Sequence, residues 1–329
     1  MIEPNPPGAF EIVNDPRQEI ARRTRRSLLA GAATLAAAGV AARLMTRGPK
    51  AGLLLRPFRA AEEFNAAVSR RLFAQKASDP TYPASRAVPR PFANGHLGIR
   101  KDLDPATWRL QLTGLRQPSN HPRFTPDVAS WQYRYHPSFT EQARLLDSQF
   151  DPGPIAASDT MTEENVTIAN ASPGNQPPPP PPPPSGPGLL LTLDDLKSLP
   201  FVQQTTEFKC IEGWSQIVTH GGVRFRDFLE AYPPLRNPDG SLPRFAAIST
   251  PDASFYCGYD IESLLHPQTL LCYQISGLPI TPAHGAPLRL SMPRKYGYKQ
   301  IKQIASIAYT NIKPQDFWGS HAYDWDGSL

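Results

Sequence analysis

The sequence predicts an α+β fold, a mixed and sheet-rich domain, on three observations. Beyond Thr192, short apolar or alternating runs at 205–210, 245–249, 269–275, 288–292 and 302–310 are bounded by Gly and Pro, the pattern of short strands. Helical spacing interrupts them only briefly, near 226–232 and 261–265. The chain shows no internal repeat, no Walker loop and no GxGxxG, so a nucleotide-binding fold has no direct support.

Taken in order, the chain opens on an export pattern. Thr24-Arg25-Arg26-Ser27-Leu28-Leu29 sets two arginines directly before an Ala-rich apolar run that continues through Ala42. Charge followed by an apolar run of about 15 residues, short of the ~20 that span a bilayer, is the form of a twin-arginine signal. Cleavage is expected after Ala42, with an uncleaved membrane anchor as the competing outcome. That route carries proteins already folded, which suits an enzyme loaded with an elaborate cofactor before export.

Residues 57–76, with Phe58, Phe64, Val68 and Phe73 among charged residues, have helical spacing and are expected to pack on a core surface. From Pro80 to Pro91 the chain is proline-rich and should run extended. Trp108, Leu110 and Leu112 alternate with polar residues up to Gly114, a half-buried strand that opens the ordered domain. Between Arg116 and Gly188 the pattern stops in an aromatic patch at Trp131 to Tyr135, a polar stretch and eight consecutive prolines at 177–184. Such a tract adopts polyproline II and cannot donate to a sheet, so this segment is read as an inserted surface excursion. Thr192-Leu-Asp-Asp195 then supplies the hydroxyl and carboxylate that cap a helix running to Leu199.

Formal charge is +5, but residues 1–50 hold eight Lys and Arg against four Asp and Glu. The rest is near neutral, with 26 basic against 25 acidic residues, so a basic nucleic-acid-binding surface loses its support and no nucleic-acid partner is expected. Cys210, Cys257 and Cys272 lack the close pairing of a zinc site and are too few for a disulfide framework. At least one is unpaired in a monomer. Cys257 and Cys272, on apolar segments, are expected as buried thiols, with a disulfide as the alternative if their strands adjoin.

Three blocks carry the chemistry. Phe208-Lys-Cys210-Ile-Glu-Gly-Trp214-Ser215 places a cysteine at a strand end, closely followed by a Glu and a Trp. Gly277-Leu-Pro279-Ile-Thr-Pro-Ala-His284-Gly285-Ala286-Pro287-Leu-Arg289 supplies an imidazole and an arginine, whose planar fork matches phosphate oxygens. Pro293-Arg294-Lys295-Tyr296-Gly297-Tyr298-Lys299-Gln300-Ile301-Lys302 is a basic, glycine-containing turn. Singly these read as a buried cysteine, a surface ion pair and a solvated turn. Together and in this order they resemble the sulfite oxidase and periplasmic methionine-sulfoxide reductase superfamily, over about residues 90–312.

The resemblance implies the oxidoreductase molybdopterin-binding fold and a molybdenum-molybdopterin cofactor, with Cys210 as metal ligand and catalytic residue. It implies cofactor contacts at Asn94, Thr250, His284, Arg289, Gln300, Ile301 and Lys302. The reductase branch typically has Asn at the position of His284, and the aromatic-acidic pair after Asn94 is absent, with His96 nearby instead. The organisation expected is a signal at 1–42, a helix and linker at 43–90, a catalytic domain at 91–318 with the proline-rich insertion at 116–188, and a tail at 319–329. No C-terminal dimerisation domain is expected, hence a monomeric catalytic subunit. With no CxxCH for haem, electrons are expected through a separate membrane haem protein or soluble cytochrome. The implied activity is two-electron oxygen-atom transfer in the periplasm, reducing an S-oxide such as methionine sulfoxide, small or protein-bound. Sulfite oxidation is the alternative, for which Arg224, Arg226 and Arg294 are the candidate cationic residues; a non-catalytic binding protein that kept the fold is another.

Overall fold

A computed structural model describes residues 38–40, 42–43, 50–51, 54–72, 78–93, 97–148, 179–321 and 323–329. The arginine pair of the export pattern, Asn94, His96 and the first two of the eight prolines lie outside the described residues. The chain divides into two units, Met1–Ala61 and Glu62–Leu329. In the first, β1 (Lys50–Ala51) and β2 (Leu54–Leu55) form an antiparallel pair, and α1 (Arg56–Leu72) begins. The expected helix is there, and Phe58, Phe64 and Val68 on it are exposed. Apolar spacing fixes the period of a helix, not what covers it.

The second unit continues through β3 (Leu110–Thr113), β4 (Phe124–Thr125), α2 (Pro137–Ser148), β5 (Gly188–Leu191), α3 (Leu193–Lys197), β6 (Phe201–Lys209) and β7 (Ser215–Arg224). Then come α4 (Phe225–Ala231), β8 (Phe245–Ser249), β9 (Tyr256–Asp260), α5 (Ile261–Leu264), β10 (Leu270–Ile275), β11 (Leu278–Pro279), β12 (Arg289–Ser291), β13 (Ser306–Thr310) and α6 (Phe317–Ser320). This is the mixed α+β domain expected. One sheet has the order β4-β5-β3-β13-β8-β9, antiparallel throughout except where β13 runs parallel to β3. The other has the order β11-β10-β7-β6, with β12 also paired to β10. One apolar cluster, including Leu110, Leu112, Phe225, Phe228, Ile248, Tyr259, Leu271 and Leu290, draws on strands of both sheets.

Thr192 caps α3 as expected, its hydroxyl accepting from the Asp195 amide at 3.3 Å while the Asp195 carboxylate accepts from the Thr192 amide at 2.7 Å. β7 was not anticipated; a pair of glycines, Gly221-Gly222, lies in its second half. Its glycines have a packing reason: a Cβ on Gly222 would fall 2.0 Å from the Leu271 carbonyl of β10.

Part of the segment expected as a surface excursion is built into the fold. Within 116–148, β4 extends the first sheet, Val128 is buried, and the Trp131 indole donates to the Thr107 carbonyl at 2.9 Å. The last turn of α2 carries Asp147, which accepts from the Ala283 amide at 2.8 Å and pairs with Lys101 at 3.2 Å. The closing residues, expected as a tail, also pack. Lys295 reaches Asp326 at 2.9 Å, and the Tyr298 hydroxyl donates to the Asp324 carbonyl at 2.8 Å.

Candidate cofactor site beside Cys210

Cys210 sits at the turn of the β6-β7 hairpin. Its amide donates to the Trp214 carbonyl at 2.9 Å, and Gly213, at φ +90°, closes the turn by donating to the Cys210 carbonyl at 3.2 Å. The thiol is nearly buried, 6 % exposed, and lies 3.6 Å from Glu212 Oε2. That oxygen also accepts from the Trp214 indole at 3.0 Å, so one carboxylate orients both neighbours. Phe208 stacks on Trp214, and Phe92 meets it edge-on, making a rigid apolar wall behind the sulfur. The third block approaches this wall through Gly297, where a Cβ would lie 2.3 Å from the Phe208 ring.

Two cavities meet here. The first is lined by Cys210, Ile211 and Glu212 with Leu97, Phe255, Gly297, Tyr298, Gln300, Lys302, Trp318 and Tyr323. The second is lined by His220, His284, Arg289 and Lys302 with Pro91, Phe92, Phe208, Gln216, Val218, Ile275, Gly297 and Gln300. Gly297, Gln300 and Lys302 belong to both, so the cavities adjoin at the third block.

The second cavity gathers basic groups without an acid among its described lining residues. Arg289, 6 % exposed, donates from Nη1 to the His284 carbonyl at 3.1 Å, while its Nε is buried with no hydrogen-bond partner among the described residues. Burial lowers its pKa to about 10. Lys302 donates to the Ala283 carbonyl at 3.1 Å, and burial, then the charge of Arg289, pushes its pKa well down. His284 Nε2 lies 2.9 Å from the Pro91 carbonyl, which can only accept, and Nδ1 lies 2.9 Å from Thr281 Oγ1. Burial takes its pKa to about 4, so the ring is neutral near pH 7, with the proton on Nε2. An orphaned guanidinium nitrogen and a crowd of desolvated cations are what an anion would relieve; a soft sulfur stands at the far end. These residues fit a group with a sulfur-bound metal at one end and a phosphate at the other.

Residues 186–318 match the family model of the oxidoreductase molybdopterin binding domain. Over that stretch, about two fifths of the chain, it is similar to that domain. Among the relatives it matches, a protein-methionine-sulfoxide reductase subunit YedZ1 of Azospira oryzae is 37% identical over 136 residues, 41% of this chain and 50% of that one. The protein-methionine-sulfoxide reductase catalytic subunit MsrP of Campylobacter jejuni is 30% identical over 145 residues, 41% of this chain and 49% of the relative. MsrP of Xanthomonas campestris is 32% identical over 142 residues, 39% of this chain and 43% of the relative. The chain thus spans about half the length of the curated relatives it matches. Among solved structures, the sulfane dehydrogenase SoxCD of Paracoccus pantotrophus matches with a TM-score of 0.34 and 18% identity, covering 38% of this chain and 36% of that one. At that level the likeness decides nothing about the site.

A molybdopterin-binding domain calls for a molybdenum cofactor, and the geometry sorts the residues expected to hold it. Cys210, His284, Arg289, Gln300 and Lys302 line the adjoining cavities. Ile301 lies instead in the apolar core, where its carbonyl accepts from the Leu290 amide at 2.9 Å. Thr250 lines neither cavity; its hydroxyl is engaged by Asp252 at 3.1 Å and by the Phe255 backbone at 3.2 Å, closing a turn. Lys295 and Lys299 turn away, to Asp326 and Asp316. His220, which no motif singled out, lines the second cavity. Cys257 and Cys272 are free, buried thiols in different sheets, each with its pKa pushed by burial to about 12.

The buried guanidinium of Arg289 makes a prediction of opposite signs. In cofactor-free protein Arg289→Met removes an uncompensated buried charge and should be neutral or stabilising by about 1–2 kcal/mol. In loaded protein it removes the anion's partner, so pterin retained through dialysis should fall at least about tenfold. Thermal melts and pterin content read the two effects.

Proposed function

We propose that the chain is an exported molybdenum-cofactor oxidoreductase that reduces an S-oxide, such as methionine sulfoxide, by two-electron oxygen-atom transfer. The carrying observation is the wall of the cavity at Cys210. Leu97, Ile211, Phe255, Tyr298, Trp318 and Tyr323 make it apolar and aromatic, and Lys302 is the one cation among its described lining residues. A neutral thioether or sulfoxide suits such a wall through dispersion and sulfur-aromatic contact, whereas a sulfite dianion would be desolvated against it. Arg224 and Arg226 are exposed, and neither they nor Arg294 lines either cavity. The names of the methionine-sulfoxide reductase relatives support the same direction.

When bound, the cofactor supplies a two-electron couple and an oxygen-accepting site. The protein's share is ligation and orientation. Cys210 would hold the metal as its thiolate, Glu212 and Trp214 fix the turn that carries the sulfur, and Arg289 and Lys302 anchor the phosphate end. The overall conversion consumes two electrons and two protons, turning the sulfoxide into a thioether and water. The electrons are proposed to come from a separate membrane haem protein or soluble cytochrome, and the arginine pair at Arg25-Arg26 to direct export to the periplasm.

The test is a direct comparison on loaded enzyme. kcat/KM for reduction of methionine sulfoxide, with an artificial electron donor, should exceed that for sulfite oxidation by at least about 100-fold, the scale set by desolvating an unpaired anion. Faster sulfite oxidation would reverse the assignment.

A further inference from the structure

His220 lies on β7, facing the same cavity as Arg289 and Lys302, on the sheet that carries Cys210 at its hairpin turn but well removed from the sulfur. The ring is buried. Its Nδ1 is 3.4 Å from Ser291 Oγ, at the edge of hydrogen bonding, and its Nε2 has no hydrogen-bond partner among the described residues. Across the sheet it stands beside Gln204 and Ile275, neither of which ionises. The charged or titratable groups that face it are Arg289 and His284, with Lys302 on the shared cavity wall.

We propose that His220 is a further ligand of the cofactor's anionic end, and that it takes up a proton as the anion enters. Without an anion the ring is held neutral: burial comes first, and Arg289 and His284 add to it. An oxyanion placed among His220, Arg289 and Lys302 reverses the local field. The neutral imidazole then binds one proton from solvent and becomes an imidazolium, which can donate to the anion from the nitrogen that now lacks a partner. Cofactor loading is therefore linked to pH through a residue outside the three motif blocks, and it should tighten as pH falls through the histidine range. This rests on the cofactor reading for the identity of the anion, but the pocket can be probed without turnover.

The probe is inorganic sulfate, which keeps its charge across this range, added to full-length protein prepared without cofactor. Calorimetry in buffers of different ionisation enthalpy counts protons taken up per sulfate bound. Between pH 6 and 7 wild-type protein should take up a substantial fraction of one proton, and sulfate affinity should rise about tenfold from pH 8 to pH 6. His220→Gln, which keeps a donor but cannot become cationic, should bind sulfate with no uptake and no such rise. Loaded protein should not bind sulfate at this pocket. Wild-type binding without proton uptake would overturn the proposal, as would undiminished uptake in His220→Gln, which would assign the proton to His284 or Lys302. If the variant does not fold, the wild-type ring signal of His220, recognised by its broadening or shift on sulfate addition in cofactor-free but not loaded protein, carries the test: an unchanged histidine spectrum overturns it. None of these readouts depends on sulfoxide reduction, so their failure leaves the oxidoreductase reading standing.

Discussion

Replacing Cys210 by alanine is expected to lower sulfoxide turnover by at least about 10³-fold, the scale of removing a group that acts in the reacting unit itself. The sulfur is the single soft donor among the described lining residues of the first cavity, held by the hairpin turn and by Glu212. On the proposed ligation its loss would remove the metal's protein ligand but not the basic groups of the second cavity, so pterin should be retained better than activity. The contrast is Cys257→Ala. Cys257 is buried in β9, away from both cavities, with its thiol pushed by burial to about 12. That variant should keep turnover within about threefold while losing roughly 1–2 kcal/mol of stability for the deleted buried atom. Equal activity in wild type and Cys210→Ala would remove the sulfur from the chemistry.

Asp316→Asn should destabilise the fold by about 3–5 kcal/mol, the cost of leaving a buried charge without its partner. Lys299 is 1 % exposed, and its ammonium donates to Asp316, to the Gly258 carbonyl at 2.7 Å and to the Trp325 carbonyl at 2.8 Å. Burial alone would lower the Lys299 pKa, yet the Asp316 carboxylate, with Cys257 and Asp326, carries it above the ordinary value. The same carboxylate accepts from the Gly258 amide at 3.2 Å and caps α6 through the Gly319 amide at 2.9 Å. Asparagine keeps one accepting oxygen, for the Gly319 amide, and sets an NH2 donor where Oδ2 met Lys299 and the Gly258 amide, so the variant drops the charge together with that acceptor. Replacing both partners, Lys299→Met with Asp316→Leu, should recover part of the loss, because apolar groups of similar size need no partner; the caps are the portion that stays lost. Denaturant unfolding of the three proteins measures this. Because α6 carries Trp318 to the wall of the first cavity, the single variant should also loosen that wall.

Legibility followed the range of the interactions. β8 was read at its true bounds and the α3 cap was read residue by residue, since both depend on local pattern. β7 was not anticipated, and its Gly221-Gly222 pair serves a neighbouring strand. The lysines of the third block look alike in sequence. Only Lys302 faces the cavities, because Lys295 and Lys299 are claimed by Asp326 and Asp316 from the chain's last residues, a long-range fact. Thr250 was singled out by its place after a strand, and its hydroxyl is spent on the turn that follows. His220 was passed over because a single histidine in an apolar run carries no motif. Only the pairing of β7 with β10, and of β10 with β12, brings it beside Arg289.

The most direct test of the account is the molybdenum and pterin content of wild-type protein from a cofactor-competent host, with Cys210→Ala beside it. The account predicts close to one molybdenum and one pterin per wild-type chain, and a loss of metal out of proportion to pterin in the variant. Wild-type protein without metal or pterin would contradict it, and would leave a molybdopterin-binding fold that serves as a binding protein.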